Sequence, residues 1–353
     1  MIPSHLRNVA DGNPDPDLLP RLSRLLPTLH SAPRLYGEPT NRKDLLSLAS
    51  RQFRADGVPA DHLAIVGGAL DGIERALQAH LRPGDRIAVE DPGYTGVLDL
   101  VTALGLLPEP VAVDELGPLP EELRAALSAG AAAFILTPRA QNPTGAALNR
   151  GRVQALQAVL EPHPDVLIIE DDHAGAVAGL PALTLCGSRP RFVVVRSVSK
   201  SLGPDLRLAL LAGDGTSVAR IEGRQALGSG WVSHVLQELV ARLLSDAKTL
   251  ALLDAAAAAY AQRRKALIEA LARRQIPAHG RSGLNVWIPV SEEVKTVTSM
   301  AALGWALRGT EAYRMHSPPA VRATVSRMGP KDAEAFARDL AAALGDRPVT
   351  ALA

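Results

Sequence analysis

Apolar and polar positions along this chain repeat in two periods that keep exchanging. From Leu45 the stretch LLSLASRQFRADG spaces its apolar residues at helical intervals and stops at Gly57. Short apolar runs then alternate with helical stretches: LAIVGG with DGIERALQAHL, RIAVEDPGY with TGVLDLVTALG, AAFILTP with NRGRVQALQAVL, followed by VLIIEDD and RFVVVRS. Runs that are apolar throughout and followed by helices predict an α/β fold, with a mostly parallel central sheet flanked by helices. A long helical pattern from Asp246 to Arg274 leads out of that unit. After it LNVWIPV and VRATVSRM read as strands and DAEAFARDLAAAL as a closing helix, a smaller α+β C-terminal domain. The expected division is an N-terminal arm over residues 1–35 packing with the small domain, a large domain over 36–255 and the small domain over 256–353.

Composition narrows the class. The chain has 353 residues, 47% of them hydrophobic and 21% charged, which suits a globular protein with a substantial core. A formal net charge of +1 gives no electrostatic pointer to nucleic acid or membrane, and neither is expected as a partner. The one cysteine, Cys186, excludes an internal disulfide and a cysteine-based metal cluster, and fits a cytoplasmic location. The start, MIPSHLRNVADGNPDPDLLP, has no basic region leading into an apolar core, so no signal peptide is expected.

The polar residues that carry chemistry follow the predicted strands. Gly67-Gly68 follows LAIV, Asp91-Pro92-Gly93-Tyr94 follows RIAVE, and Asn142-Pro143-Thr144-Gly145 follows AFILTP. Asp171-Asp172-His173 follows VLIIE, and Ser197 to Lys200 follows FVVVR. Ligands of open parallel sheets bind at the carboxyl ends of strands, so these clusters are expected on one rim. The chain has six lysines, and only Lys200 sits between a buried strand and a Gly-Pro break, where desolvation lowers an amine's pKa and makes it nucleophilic. The set suits a phosphorylated aromatic aldehyde: a lysine for its Schiff base, a carboxylate for a pyridine nitrogen, a glycine-opened helix and an arginine for phosphate, and a ring to stack. A metal centre at Asp171, Asp172 and His173 is not expected, because successive strand residues face opposite sides. Ser197 and Lys200 form a serine-x-x-lysine pair, but the SDN and KTG signatures of acyl transfer are missing from the chain.

TPRAQNPTG, VLIIEDDH and SVSKSLGPDLR occur in an order that resembles the class I/II aminotransferases of fold-type I, which use pyridoxal 5′-phosphate (PLP). Within them the chain is similar to the aminotransferase-like domain of MocR-type regulators, over nearly its whole length. The resemblance implies that Lys200 forms the Schiff base and moves the substrate proton, and that Asp171 holds the pyridinium nitrogen. It gives the phosphate to the backbone at Gly68, Ala69 and Leu70 and to the side chains of Ser197, Ser199 and Arg207. It gives the ring face to Tyr94, the phenolic oxygen to Asn142 and His173, and a substrate carboxylate to Arg322, with Arg327 as a competitor. Tyr36 would reach the phosphate of a second copy, which implies a homodimer. Asp172 is expected to be structural.

The chain departs from the family at His173, where a tyrosine is usual, so titration of the imidazole is expected to couple the cofactor to pH. Gly67 and Ala69 stand at positions usually hydroxylated, and Asn41 at a usual glycine. The implied activity is transfer of an amino group from an amino acid to a 2-oxo acid. The alternative is a PLP- and amino-acid-sensing effector domain of a MocR-type regulator; with Met1 only 11 residues before Gly12, a winged helix is not expected in this chain. Decarboxylation and β-elimination stay open, as does the amino-acid side chain.

Overall fold

The structure is a computed structural model and describes residue 3, residues 5–30 and residues 32–345. The ends of the expected arm and small domain (residues 1, 2, 4, 31 and 346–353) lie outside the described residues.

An eight-stranded sheet runs in the order His62–Val66, Ala209–Gly213, Phe192–Ser197, Leu167–Asp172, Ala133–Leu136, Arg86–Asp91, Leu107–Asp114, Gly117–Pro118. Ala209–Gly213 is antiparallel to both of its neighbours, and the short Gly117–Pro118 to its single one. The five strands that precede the polar clusters therefore all point the same way, and their ends form one rim.

Alternation along each strand divides the core in two. Ile65, Ala88, Phe134, Leu136, Ile168 and Val194 face one side of the sheet, and Val66, Val89, Ile135, Ile169 and Val195 face the other. On the first side pack helices Lys43–Ala55, Pro120–Ser128, Arg150–Leu160 and His234–Ser245; on the second, Ala69–His80, Thr95–Ala103 and Gly215–Leu227. Continuing the same period, Asp171 and Ser197 emerge on the side of helix Ala69–His80, and Asp172 on the opposite side.

The helical pattern read from Asp246 is one unbroken helix, Ala247–Ala272, whose Asp246 side chain accepts from the Thr249 amide at its N-terminus. Leu253, Ala256 and Tyr260 join the large core; Leu267, Ala270 and Leu271 join a third cluster beneath strands Asn285–Pro289 and Ala320–Thr324. The expected boundary at 255/256 thus falls inside a helix that belongs to both units.

The N-terminal segment also serves both. Arg7–Asn8 pairs with Trp305–Ala306, while Leu18, Leu22, Leu25 and Leu29 pack on the large core. Asp91, at the end of its strand, fastens the small domain to the rim. Its carboxylate accepts from the amides of Met315 (2.9 Å), His316 (2.7 Å) and Ser317 (3.0 Å) and from the Ser317 hydroxyl (2.7 Å). Hydrogen bonds to a buried charge contribute about 1.5–3 kcal/mol each, less when they share one acceptor. Asp91→Ala is expected to lower stability by about 2 kcal/mol or more in urea unfolding.

Candidate active site

The rim carries two adjoining cavities. One of about 190 Å³ is lined by Ala69, Leu70, Asp171, Ser197, Ser199 and Arg207, among others. The second, of about 270 Å³, is bordered by Asp11, Gly12, Arg308, Tyr313 and Arg322. Tyr94, Asn142, His173 and Lys200 line both. The other sequence-derived residues line one or both, except Gly68 and Tyr36; Tyr36 is 92% exposed with its ring edge-on to Trp231. Gly68 does not line either cavity itself; it is the residue before helix Ala69–His80, whose first two residues line the first one.

The phosphate end follows from local sequence. Gly68 has φ +114°, and a Cβ there would come 2.7 Å from Arg207 Nη2, so glycine allows both the turn and the arginine's approach. The first amides of a helix have no partner within it, and here they open onto the cavity. The Ser197 and Ser199 hydroxyls lie 2.9 Å apart. Together they offer backbone donors, two hydroxyls and a guanidinium to one anion, so the missing hydroxyls at Gly67 and Ala69 are replaced from another loop. Tyr94 sits close over Gly96, where a Cβ would meet its ring at 2.8 Å.

At the floor, two successive carboxylates have opposite environments. Asp172 accepts both ends of the Arg139 fork at 2.8 Å and Arg196 Nε at 2.7 Å, and these cations hold its pKa well below the usual carboxylate range against the opposing effect of burial. Asp171 is 4% exposed, and among the described residues its Oδ1 has no hydrogen-bond partner. Burial, then the charges of Asp172 and Glu90, push its pKa up to about 7. A protonated pyridine nitrogen is the donor and counter-charge that this oxygen lacks, so the residues present fit PLP.

His173 Nε2 lies 2.8 Å from the Ala140 carbonyl. Burial, with Lys200 nearby, lowers its pKa to about 4, so the ring is neutral and donates Nε2–H to that carbonyl. The pH coupling expected of this histidine is thereby displaced to acid conditions. The loop bearing Asn142 is fixed from below: buried Glu90 accepts from Thr137 N (3.0 Å) and Gln141 Nε2 (3.2 Å). Asn142 Oδ1 accepts from Arg322 Nη1 at 2.9 Å, which leaves its Nδ2 hydrogens to donate.

Lys200 Nζ donates to the Gly12 carbonyl at 2.8 Å. Burial, then the charge of Arg322, lowers its pKa and enlarges the neutral, nucleophilic fraction. Arg322 is 3% exposed, and among the described residues it donates to neutral acceptors: Asn142 Oδ1, the Tyr313 hydroxyl at 3.0 Å and the Ala10 carbonyl at 2.6 Å. Its rival Arg327 is exposed. Sequence reading missed Gly12, Arg308 and Tyr313. The tyrosine had a signal, since the chain has only four, and two of them line this site.

The architecture and the cavity define a PLP protein of fold-type I. Its sequence profile agrees: the family described as aminotransferase class I and II matches residues 7–340, and the chain belongs to that family. Among curated proteins it is 39% identical over 342 residues to the vitamin B6 salvage pathway transcriptional repressor PtsJ of Salmonella typhimurium, covering 96% of this chain and 80% of that one. It is 26% identical over 301 residues to the mitochondrial kynurenine/alpha-aminoadipate aminotransferase of Bos taurus, covering 78% and 66%. Among solved structures, the Pyrococcus horikoshii kynurenine aminotransferase in complex with PMP superposes with a TM-score of 0.86 at 21% identity, over 97% of this chain and 91% of that one. Among the described residues no helix is long and apolar enough to cross a membrane.

The raised pKa of Asp171 has a sign that can be checked. Its folded value, about 7, lies above the usual 3.8, so the folded state holds a proton that the unfolded state has lost, and stability falls as pH rises between those values. Without cofactor, Asp171→Asn is expected to match or exceed wild type in urea unfolding at pH 8. The advantage should shrink as pH falls to about 5, where the wild-type carboxyl is neutral too.

Proposed function

We propose that this chain transfers an amino group from an amino acid to a 2-oxo acid, with PLP held over Asp171 and against Lys200. The observation that carries the reading is the buried, unpartnered Oδ1 of Asp171 in the same cavity as a lysine of lowered pKa. Bound PLP supplies an aldehyde that condenses with amines and a ring that accepts electrons from the bonds at the substrate's Cα. Asp171 holds the ring-nitrogen proton. Ser197, Ser199, Arg207 and the amides after Gly68 anchor the phosphate, Tyr94 covers the ring face, and Asn142 Nδ2 donates to the phenolic oxygen. His173, donating to Ala140, offers its remaining nitrogen as an acceptor. Lys200 Nζ takes and returns the Cα proton, and the Gly12 carbonyl holds the amine when it is free. Arg322 binds the α-carboxylate, the anion that its three neutral partners do not supply.

The second reading is favoured by the 39% identity with a repressor over nearly the whole chain. A sensing domain would use the same residues to bind cofactor and amino acid without completing transfer. Near-visible absorption decides between them. A band that requires Lys200, bleaches with an amino acid and recovers with a 2-oxo acid supports the transaminase. A band that shifts and stays supports the sensor. With Lys200→Ala the band characteristic of the lysine adduct is expected to vanish; if it persists, the assignment of Lys200 is wrong.

A homodimer is part of this reading. Leu35, Tyr36 and Leu227 are 72%, 92% and 89% exposed, an apolar surface that a second copy would cover, with Tyr36 directed to that copy's phosphate. The sedimentation mass is expected to be twice that of the chain, and Tyr36→Ala combined with Leu227→Glu should shift it toward the monomer. The single cysteine, buried Cys186, suits a cytoplasmic protein.

A further inference from the structure

The histidine at the junction of the two cavities has its hydrogen-bonding polarity fixed by the backbone. A neutral imidazole carries one hydrogen, on one of its two ring nitrogens. In His173, Nε2 lies 2.8 Å from the Ala140 carbonyl. A carbonyl oxygen only accepts, so the hydrogen is on Nε2 and Nδ1 presents a lone pair. Among the described residues Nδ1 has no hydrogen-bond partner, and the ring lines both cavities with Asn142 and Lys200. Burial keeps the ring neutral, and the charges that bear on it do not reverse this: Lys200 and Arg139 oppose its protonation and Asp172 favours it. The other charged groups lining the cavities are Asp11, Asp171, Arg207, Arg308 and Arg322, three cations to two carboxyl groups; Tyr94 and Tyr313 complete the titratable set there. Asn142 has the opposite polarity. Its Oδ1 accepts from Arg322 at 2.9 Å, so its amide hydrogens remain as donors. The junction therefore offers one donor side chain and one acceptor side chain, where the sequence suggested two donors.

We propose that His173 accepts from the phenolic oxygen of bound PLP rather than donating to it, and so favours a proton at that oxygen. This deepens the PLP reading above and rests on it. When PLP is joined to Lys200, one proton is shared between the lysine nitrogen and the phenolic oxygen, and its loss leaves negative charge on the oxygen. A donor stabilises that charge and lowers the pH at which the proton leaves; a lone pair opposes the charge and raises that pH. Asn142 acts in the first sense and His173 in the second. A tyrosine in place of the histidine carries a hydroxyl hydrogen and can act with Asn142. The substitution that sets this chain apart thus keeps the lysine adduct protonated to higher pH.

Absorption of the PLP-loaded protein against pH reads the midpoint of that proton loss without any turnover. His173→Phe removes the lone pair and adds no donor, and is expected to lower the midpoint. His173→Tyr adds a hydroxyl and should lower it further, by about one unit or more from wild type, the range of a hydrogen bond to a charged group. A midpoint that rises in His173→Phe means that the histidine donates, and one that stays means that it does not touch the oxygen. Either result overturns this inference and spares the PLP reading, because the Lys200-dependent band is still there. A protein with no Lys200-dependent band overturns both. His173→Phe also leaves the Ala140 carbonyl without its donor, so nitrogen NMR of the loaded wild type supplies a measurement that no substitution disturbs. The histidine signal absent from the variant should be that of a neutral ring with its hydrogen on Nε2 at neutral pH. A hydrogen on Nδ1, or a charged ring, overturns the inference.

Discussion

The site depends on keeping two adjacent carboxylates in different charge states. Asp171 and Asp172 end the same strand, and its alternation sends them to opposite faces of the sheet. On one face Asp172 meets Arg139 and Arg196, which offset the cost of burying its charge. On the other, Asp171 lines the cavity, and among the described residues its Oδ1 has no hydrogen-bond partner. The paired carboxylate adds to the difficulty of ionising its neighbour, since its two arginines favour the charged form of Asp172 and that charge raises Asp171. The protein thereby stores an electrostatic demand at one oxygen, which a cationic ring nitrogen would meet. Glu90, also buried and raised to about 7, extends the same acidic floor while fixing the loop that presents Asn142.

Above this floor the site is closed by segments distant in sequence. The N-terminal arm lays the Gly12 carbonyl on Lys200 and the Ala10 carbonyl on Arg322. Arg322 in turn holds Asn142, so arm, small domain and large domain meet in one chain of hydrogen bonds. Gly12 has φ +69°, and a Cβ there would stand 3.3 Å from Arg322 Nη2; the glycine permits both the turn and the approach. Asp91 keeps the small domain seated while these contacts form.

The floor was legible in the sequence because it obeys period two and strand direction. Once VLIIEDD is a strand, Asp171 and Asp172 must leave on opposite faces. The choice of Asp171 and Ser197 as the site pair came from the family resemblance, and the register Asp171↔Val195 puts those two on one face. The phosphate cradle was legible only as a motif, because Gly67-Gly68 alone reads as a tight turn; what identifies Gly68 is Arg207, far along the chain, lying against it. The closing elements were not legible. Nothing local marks Gly12 as an acceptor for Lys200, and Arg308 in WALRGT carries no periodic signal in a two-residue strand. Their roles come from pairings that only the folded chain makes. That the division at 255/256 lies within one helix was not legible either, because periodicity locates a helix but not the cores it joins.

The same contacts set a constraint shared by both functional readings. A carboxylate bound at Arg322 would meet a guanidinium already bonded to the Ala10 carbonyl, and a new bond at Lys200 Nζ would change its contact with Gly12. Ligand binding at the floor would therefore bear on the arm contacts at the top through an exchange of bonds. The arm residues Leu18, Leu22, Leu25 and Leu29 remain packed on the large core through apolar contacts that this exchange does not touch. The two halves of the arm thus answer to different forces: hydrogen bonds that a ligand can replace hold residues 10–12, and hydrophobic burial holds residues 18–29. An enzyme needs that exchange to be reversible within each turnover, whereas a sensor needs it to persist. One set of residues can serve either end, and the strength of the replaced bonds relative to the ligand's own decides between them.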